Sequence, residues 1–243
     1  MKTKIFYEEK TKKIGEENYY ETKDKLLAYL KNKRIEKVKE AIDDFAKNKV
    51  VADIGCGEGY ITLNYAKNVK KVICSDISEN ALKKAAANLK KEGIKNFEIH
   101  PADAANLEFK ADSFDAVLCC SALDHVPNPI KVIKELSRIA KKGGYVFIEL
   151  DNDIMHPFSG IRINKNMLDK LGHFNRISYR KLKKMVKIAD VPLKEIKVYS
   201  WGSPFRFYYR LIKYFPFTKK FLDFLGRKFP AICYEYLVVY RKI

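Results

Sequence analysis
Val50-Val51-Ala52-Asp53-Ile54-Gly55-Cys56-Gly57-Glu58-Gly59-Tyr60-Ile61-Thr62 is an apolar run that ends on an acid and passes at once into three alternating glycines. The run reads as a buried strand, and the polar-to-apolar change after Gly59 reads as the start of a helix. Glycines at such a strand-to-helix turn let the backbone bend tightly and come close to a ligand, because a Cβ would fill the space or forbid the dihedrals. The turn is therefore read as a cofactor cradle. It departs from the dinucleotide spacing G-x-G-x-x-G, since Tyr60 stands where the third glycine would be.

Downstream of this loop, Lys71 to Ser75, Phe97 to His100, Phe114 to Cys119 and Tyr145 to Leu150 are further short apolar runs, most of them separated by enough chain for a helix. Ser78 is placed to cap the clearest of these helices, with Leu82, Ala85, Ala86 and Leu89 on one face and Gly93 at its end. Another starts near Pro129 and stops at the Lys141-Lys142-Gly143-Gly144 turn, and Ser178 caps one running to about Ala189. Leu193 to Ser200 and Tyr234 to Lys242 read as an antiparallel pair closing the sheet. Upstream, apolar spacing from Asn18 to Lys47 predicts one or two amphipathic helices.

The expected fold is thus α/β: a doubly wound, seven-stranded, mostly parallel sheet with helices on both faces and an antiparallel last strand. Its organisation is read as an N-terminal helical cap (1–48), a cofactor-binding core (49–150), a lid or substrate segment (151–177) and a C-terminal part of the same domain (178–243). A helical insertion at 201–231 precedes the last strand.

More acids follow at the strand ends. Asp76 lies 17 positions after Gly59, at the end of the second strand, where a carboxylate can accept both hydroxyl hydrogens of a ribose. Asp103 follows the third strand and could accept from an adenine amine. The fourth strand leads into Ser121-Ala122-Leu123-Asp124-His125-Val126, at the sheet edge where open α/β folds bind ligands. A helix cap would explain Asp76 alone and a loop start Asp103 alone; their joint order gives the reading its weight.

This series resembles the Rossmann-like, S-adenosylmethionine-dependent methyltransferases, especially the group that includes ubiquinone and menaquinone biosynthesis enzymes. The resemblance rests on DIGCGEG, the acid in VICSDIS, PADAANLEF, SFDAVLC, SALDHV and RIAKKGGYVFIE, covering roughly residues 49 to 150. It implies S-adenosyl-L-methionine as cofactor, with the Gly55, Gly57 and Gly59 loop at its methionine moiety, Asp76 at the ribose, Asp103 and Ala104 at the adenine and Ser121 near the methyl group. Asp53, Cys56 and Ile77 belong to the same implied cofactor site. Gly172-His173-Phe174-Asn175 is similar to a G-H-x-R segment of some relatives, with Asn175 in place of the arginine. Tyr19 and Tyr20 could roof the cofactor or pack within a helix.

Since a sulfonium already activates its methyl carbon, few catalytic side chains are needed. His125 is the candidate base for an acceptor hydroxyl, against the plainer reading of a histidine that hydrogen-bonds after the strand.

The acceptor is approached through composition. The net charge of +18 is concentrated late in the chain, with 20 Lys and Arg against 7 Asp and Glu in residues 151–243. From Tyr199 to Tyr240 lie 15 of the 31 aromatic residues, interleaved with Arg206, Arg210, Lys213, Lys219, Lys220, Arg227 and Lys228. Such a mixture suits the boundary between acyl chains and anionic headgroups, which favours a lipid, quinone or polyprenyl-type acceptor and peripheral contact with an anionic membrane. The same mixture could bind an RNA acceptor, or cap a pocket for a small molecule. A non-catalytic cofactor-binding subunit is the alternative of a different class.

Other chemistries are disfavoured. The Ser121 to Asp124 segment lacks the Asp/Asn-Pro-Pro-aromatic signature of amino-methylating nucleic-acid enzymes, and Cys119 and Cys120 sit in a buried strand rather than after proline. The five cysteines and four histidines show no metal-binding or disulfide spacing, so no metal is expected. The sequence shows no secretory h-region or apolar run of spanning length, and a cytoplasmic protein is expected.

Overall fold
The computed structural model of the chain describes residues 4, 5, 8, 9, 25–152, 174–202, 224 and 233–243. The apolar runs form one seven-stranded sheet: β1 (Val50–Ile54), β2 (Lys71–Asp76), β3 (Phe97–Pro101), β4 (Phe114–Cys120), β5 (Ala140–Asp151), β6 (Leu193–Trp201) and β7 (Glu235–Lys242). Their spatial order is β3-β2-β1-β4-β5-β7-β6. The first five are parallel, while β7 runs antiparallel to both β5 and β6.

Successive residues of the central strands enter two separate cores, as the two-residue period requires. Ala52, Ile54, Val117, Cys119 and Ile148 face one side; Val51, Val72, Cys74, Leu118 and Phe147 face the other. Because both faces are covered, these strands read in sequence as continuous rather than alternating apolar runs. The first core is closed by Val132, Ile133 and Leu136 of α4 (Pro129–Ile139) and by Leu182 and Met185 of α5 (Tyr179–Ala189). The second is closed by Leu30, Val38 and Ile42 of α1 (Lys25–Phe45) and by Leu82 and Leu89 of α3 (Glu79–Lys91).

The caps behave as their side chains dictate. Ser78 Oγ accepts the Ala81 N–H at 3.1 Å and Ser178 Oγ accepts the Lys181 N–H at 3.2 Å, each satisfying a donor that the first helical turn leaves without a partner. Asn128 does the same for α4 ahead of Pro129. Gly93, just past α3, takes φ +68°.

Two elements differ from the sequence expectation. The helix that starts after Gly59 is short: the crossover from β1 to β2 holds α2 (Tyr60–Leu63) and a 3-10 turn at Ala66–Asn68, with the Thr62 and Tyr65 hydroxyls both donating to Asp53. The Lys141 to Gly144 turn lies within β5: Phe114 pairs with Ala140 and Ala116 already with Tyr145, so the glycines form an irregularity in a longer strand. Gly144 is required there, because a Cβ would stand 2.8 Å from the Asp115 carbonyl oxygen.

Residues 18–24 of the expected first helix, Tyr19 and Tyr20, His173, the 153–173 part of the 151–177 segment, and nearly all of the 201–231 insertion lie outside the described residues. Among the described residues no helix is long and apolar enough to cross a membrane.

Candidate functional site
Strand order reverses between β1 and β4, so the segments leaving their carboxyl ends diverge and leave a crevice. All three glycines of the loop after β1 take left-handed φ, +76° at Gly55, +55° at Gly57 and +82° at Gly59. Gly55 is the tightest: a Cβ there would lie 2.6 Å from the Ala122 Cβ in the segment leaving β4. Its N–H donates to the Ser75 carbonyl at 2.7 Å, which fixes the loop to β2.

Asp76, at the end of the neighbouring β2, holds the loop from the side away from β4. Its Oδ2 accepts the Gly57 N–H at 2.9 Å and its Oδ1 the Ser78 N–H at 2.9 Å. Burial pushes its carboxyl above the usual aspartate range, against the pull of these amides. The Ile77 amide also bears on this carboxyl, and the lone pairs that these amides leave can accept further donors. Ile77 beside it is half-buried. Glu8 accepts the Glu79 N–H at 2.7 Å at the start of α3, an arrangement that no local sequence signal announces.

Asp53 is buried beneath the loop. Its Oδ2 accepts the Thr62 hydroxyl at 2.7 Å and the Tyr65 hydroxyl at 2.6 Å, and burial raises its carboxyl to about 6. The acid that closes the first strand therefore ties the loop to the chain beyond it. Cys56 is half-buried, its thiol raised by a hydrogen bond with Cys74 and by burial.

Asp103 is exposed after β3; its Oδ1 accepts the Ala105 N–H at 2.8 Å and its backbone bridges to Asn106. Ala104 is half-buried beside it. Ser121, directly after β4, has φ +49°, which is uncommon for a residue with a Cβ. Its Oγ donates to Glu149 Oε2 at 2.7 Å and its N–H to the Glu149 carbonyl at 3.0 Å.

His125 lies in the turn Leu123–His125 with Nε2 3.7 Å from Asp124 Oδ2. Phe174 and Asn175 donate backbone N–H groups to the Asp124 carbonyl, and the Asn175 amide donates to the Val126 carbonyl at 2.6 Å. The segment carrying Asn175 is thus brought against the exit of β4. Cys119 and Cys120 are thiols pushed up by burial, so neither is a ready thiolate nucleophile.

Gly57 is bonded to Asp76, Gly55 to the Ser75 carbonyl, and Gly55 meets Ala122, the neighbour of Ser121, so these residues lie close together beyond the carboxyl ends of β1, β2 and β4. Asp103 and Ala104 stand beyond the adjacent β3. A Cβ is excluded at Gly55 by Ala122 and crowded at Gly59 by Ala85, so two of the three glycines are required by packing of the loop as well as by their φ.

This arrangement is the Rossmann-like fold that solved S-adenosylmethionine-dependent methyltransferases share. Residues 52–148 match the family described as "Methyltransferase domain". Among curated relatives, the chain is 29% identical over 171 residues to a ubiquinone biosynthesis O-methyltransferase of Nitrosospira multiformis, covering 64% of this chain and 71% of that protein. It is 39% identical over 99 residues to a demethylmenaquinone methyltransferase of Lactococcus lactis, covering 40% of this chain and 39% of that one. The match therefore spans less than half the length of the latter. The fold is shared with Haemonchus contortus phosphoethanolamine N-methyltransferase 2 in complex with S-adenosyl-L-methionine, at TM-score 0.65 and 16% identity, covering 97% of this chain and 60% of that one.

Proposed function
We propose that the chain transfers a methyl group from S-adenosylmethionine to a hydroxyl or carbon of a quinone- or polyprenyl-type lipid acceptor. The observation that carries the reading is the Gly55 to Gly59 loop, bonded through Gly57 to Asp76, beside the sheet's switch point. The names of the relatives and the basic aromatic composition of 201–231 support the acceptor class.

When bound, the cofactor supplies a sulfonium-activated methyl group for in-line displacement. The chain's own work is then alignment and removal of water. Gly55, Gly57 and Gly59 allow the backbone to approach the amino-acid end, with Cys56 in the same turn. Asp76 accepts the ribose hydroxyls on the lone pairs left by the Gly57 and Ser78 amides, and Ile77 packs beside it. Asp103 and Ala104 receive the adenine, and Asp53 holds the loop from beneath. Ser121 stands at the reacting end.

For a hydroxyl acceptor, His125 would take up the O–H proton, while the bound cofactor would supply the methyl group and the leaving thioether. Radiolabelled methyl transfer into cell extract separated into lipid, RNA, protein and small-molecule pools tests the proposal. Label in the lipid pool, lost in D76A, is expected; label in RNA or in no pool contradicts it.

A further inference from the structure
Arg34 of α1 stands among three carboxylates, two of them buried and the third, Asp151, partly exposed. Its Nε is 3.1 Å from Glu149 Oε1, and its terminal nitrogen is 2.7 Å from Asp151 Oδ1 and 3.1 Å from Glu235 Oε1. Glu149 and Glu235 are buried within the protein, as is the guanidinium. The remaining oxygen of Glu235 accepts the Trp201 indole N–H at 2.7 Å. The remaining oxygen of Glu149 accepts the Ser121 hydroxyl at 2.7 Å and lies 3.1 Å from the Cys120 sulfur.

An ion pair from Arg34 to Glu149, close in distance but without hydrogen-bond geometry, and the Ser121 hydroxyl bond to Glu149 therefore connect α1 to the exit of β4. A planar guanidinium with a rigid fork of donors can fix several carboxylates at once, and a fixed carboxylate directs its free oxygen. Ser121 needs such a hold, because its φ of +49° carries a cost that the two bonds to Glu149 offset.

We propose that Arg34 is a positioning residue of the methyltransferase site, acting through Glu149 to hold Ser121 at the carboxyl end of β4. Arg34 is distant in sequence from every motif of the core, and it makes the N-terminal helix part of the site's geometry. The proposal rests on the reading of Ser121 as part of the cofactor site.

The test is calorimetric titration of S-adenosylhomocysteine into the full chain and four variants shown to be folded by circular dichroism. E149Q is expected to weaken binding about tenfold, R34M by a similar factor, and R34M/E149Q no further than the weaker-binding single variant. D151N removes another partner of Arg34 that does not touch Ser121, and its affinity is expected to stay within about twofold of the parent. Since E149Q keeps the volume of the side chain and removes a buried charge, it carries the test if R34M fails to fold. Unchanged affinity in folded E149Q, an equal loss in D151N, or multiplying losses in the double variant overturns the proposal. Parent protein without affinity overturns the functional reading together with this one; parent binding with unchanged E149Q overturns this one alone.

Discussion

Gly55 and Ala122 meet across the switch point so closely that a Cβ on the glycine would lie 2.6 Å from that of the alanine. The loop after β1 and the segment after β4 are thereby packed into a single floor, and the sequence interval between them hides this relationship.

G55A should combine a left-handed backbone cost with a methyl overlap, a loss of roughly 2–4 kcal/mol in stability. Gly93 has a comparable φ of +68° but nothing within 4 Å of a Cβ, so G93A should lose only about 1 kcal/mol. Urea midpoints of both variants, compared with the parent, check the difference.

Asp53 predicts a pH dependence. Its carboxyl is raised from 3.8 to about 6 by burial, so the folded state keeps a proton that the unfolded chain has already released. Stability contributed by the protonated form is present at low pH and lost as pH rises from about 4 through about 6, on the order of 3 kcal/mol in total. D53N removes this titration, and its stability relative to the parent should increase across that window. Urea unfolding at pH 4, 5, 6 and 7 measures it; a parent-minus-variant difference that stays flat would count against the buried charge.

Ser78 and Ser178 cap α3 and α5 through one hydroxyl each. S78A and S178A should each cost about 1 kcal/mol, and because they share no partner, their losses should add in the double variant. Equilibrium denaturation of the two singles and the double decides.

If the acceptor atom is a hydroxyl, H125A should reduce the transfer rate at saturating cofactor by about a hundredfold or more, with little change in cofactor affinity. Single-turnover transfer together with calorimetry separates those two effects.

Much of the fold was legible because parallel strands buried on both faces print themselves as short apolar runs, and because Ser78, Gly93, Pro129 and Ser178 punctuate the helices between them. The Lys141 to Gly144 stretch misled for a physical reason: glycines that end a helix and glycines that let a strand kink past a neighbouring carbonyl share one sequence signature. The tight glycine turn after β1 was equally readable, since steric exclusion at Gly55 leaves no other residue comfortable. The inward turn of Asp53 to the Thr62 and Tyr65 hydroxyls was not, as an acid at a strand end gives no sign of which way it points. Arg34 escaped for a different reason: on α1 it is one cation among several lysines, and only the folded sheet gathers Glu149, Asp151 and Glu235 around it.

Calorimetric titration of S-adenosylmethionine into the purified full chain tests the central claim most directly. Saturable one-to-one binding, weakened roughly tenfold or more in D76A by loss of charge-assisted hydrogen bonds, is the predicted result. Folded protein that binds neither the cofactor nor its demethylated product, or a D76A variant that binds as tightly as the parent, would contradict it.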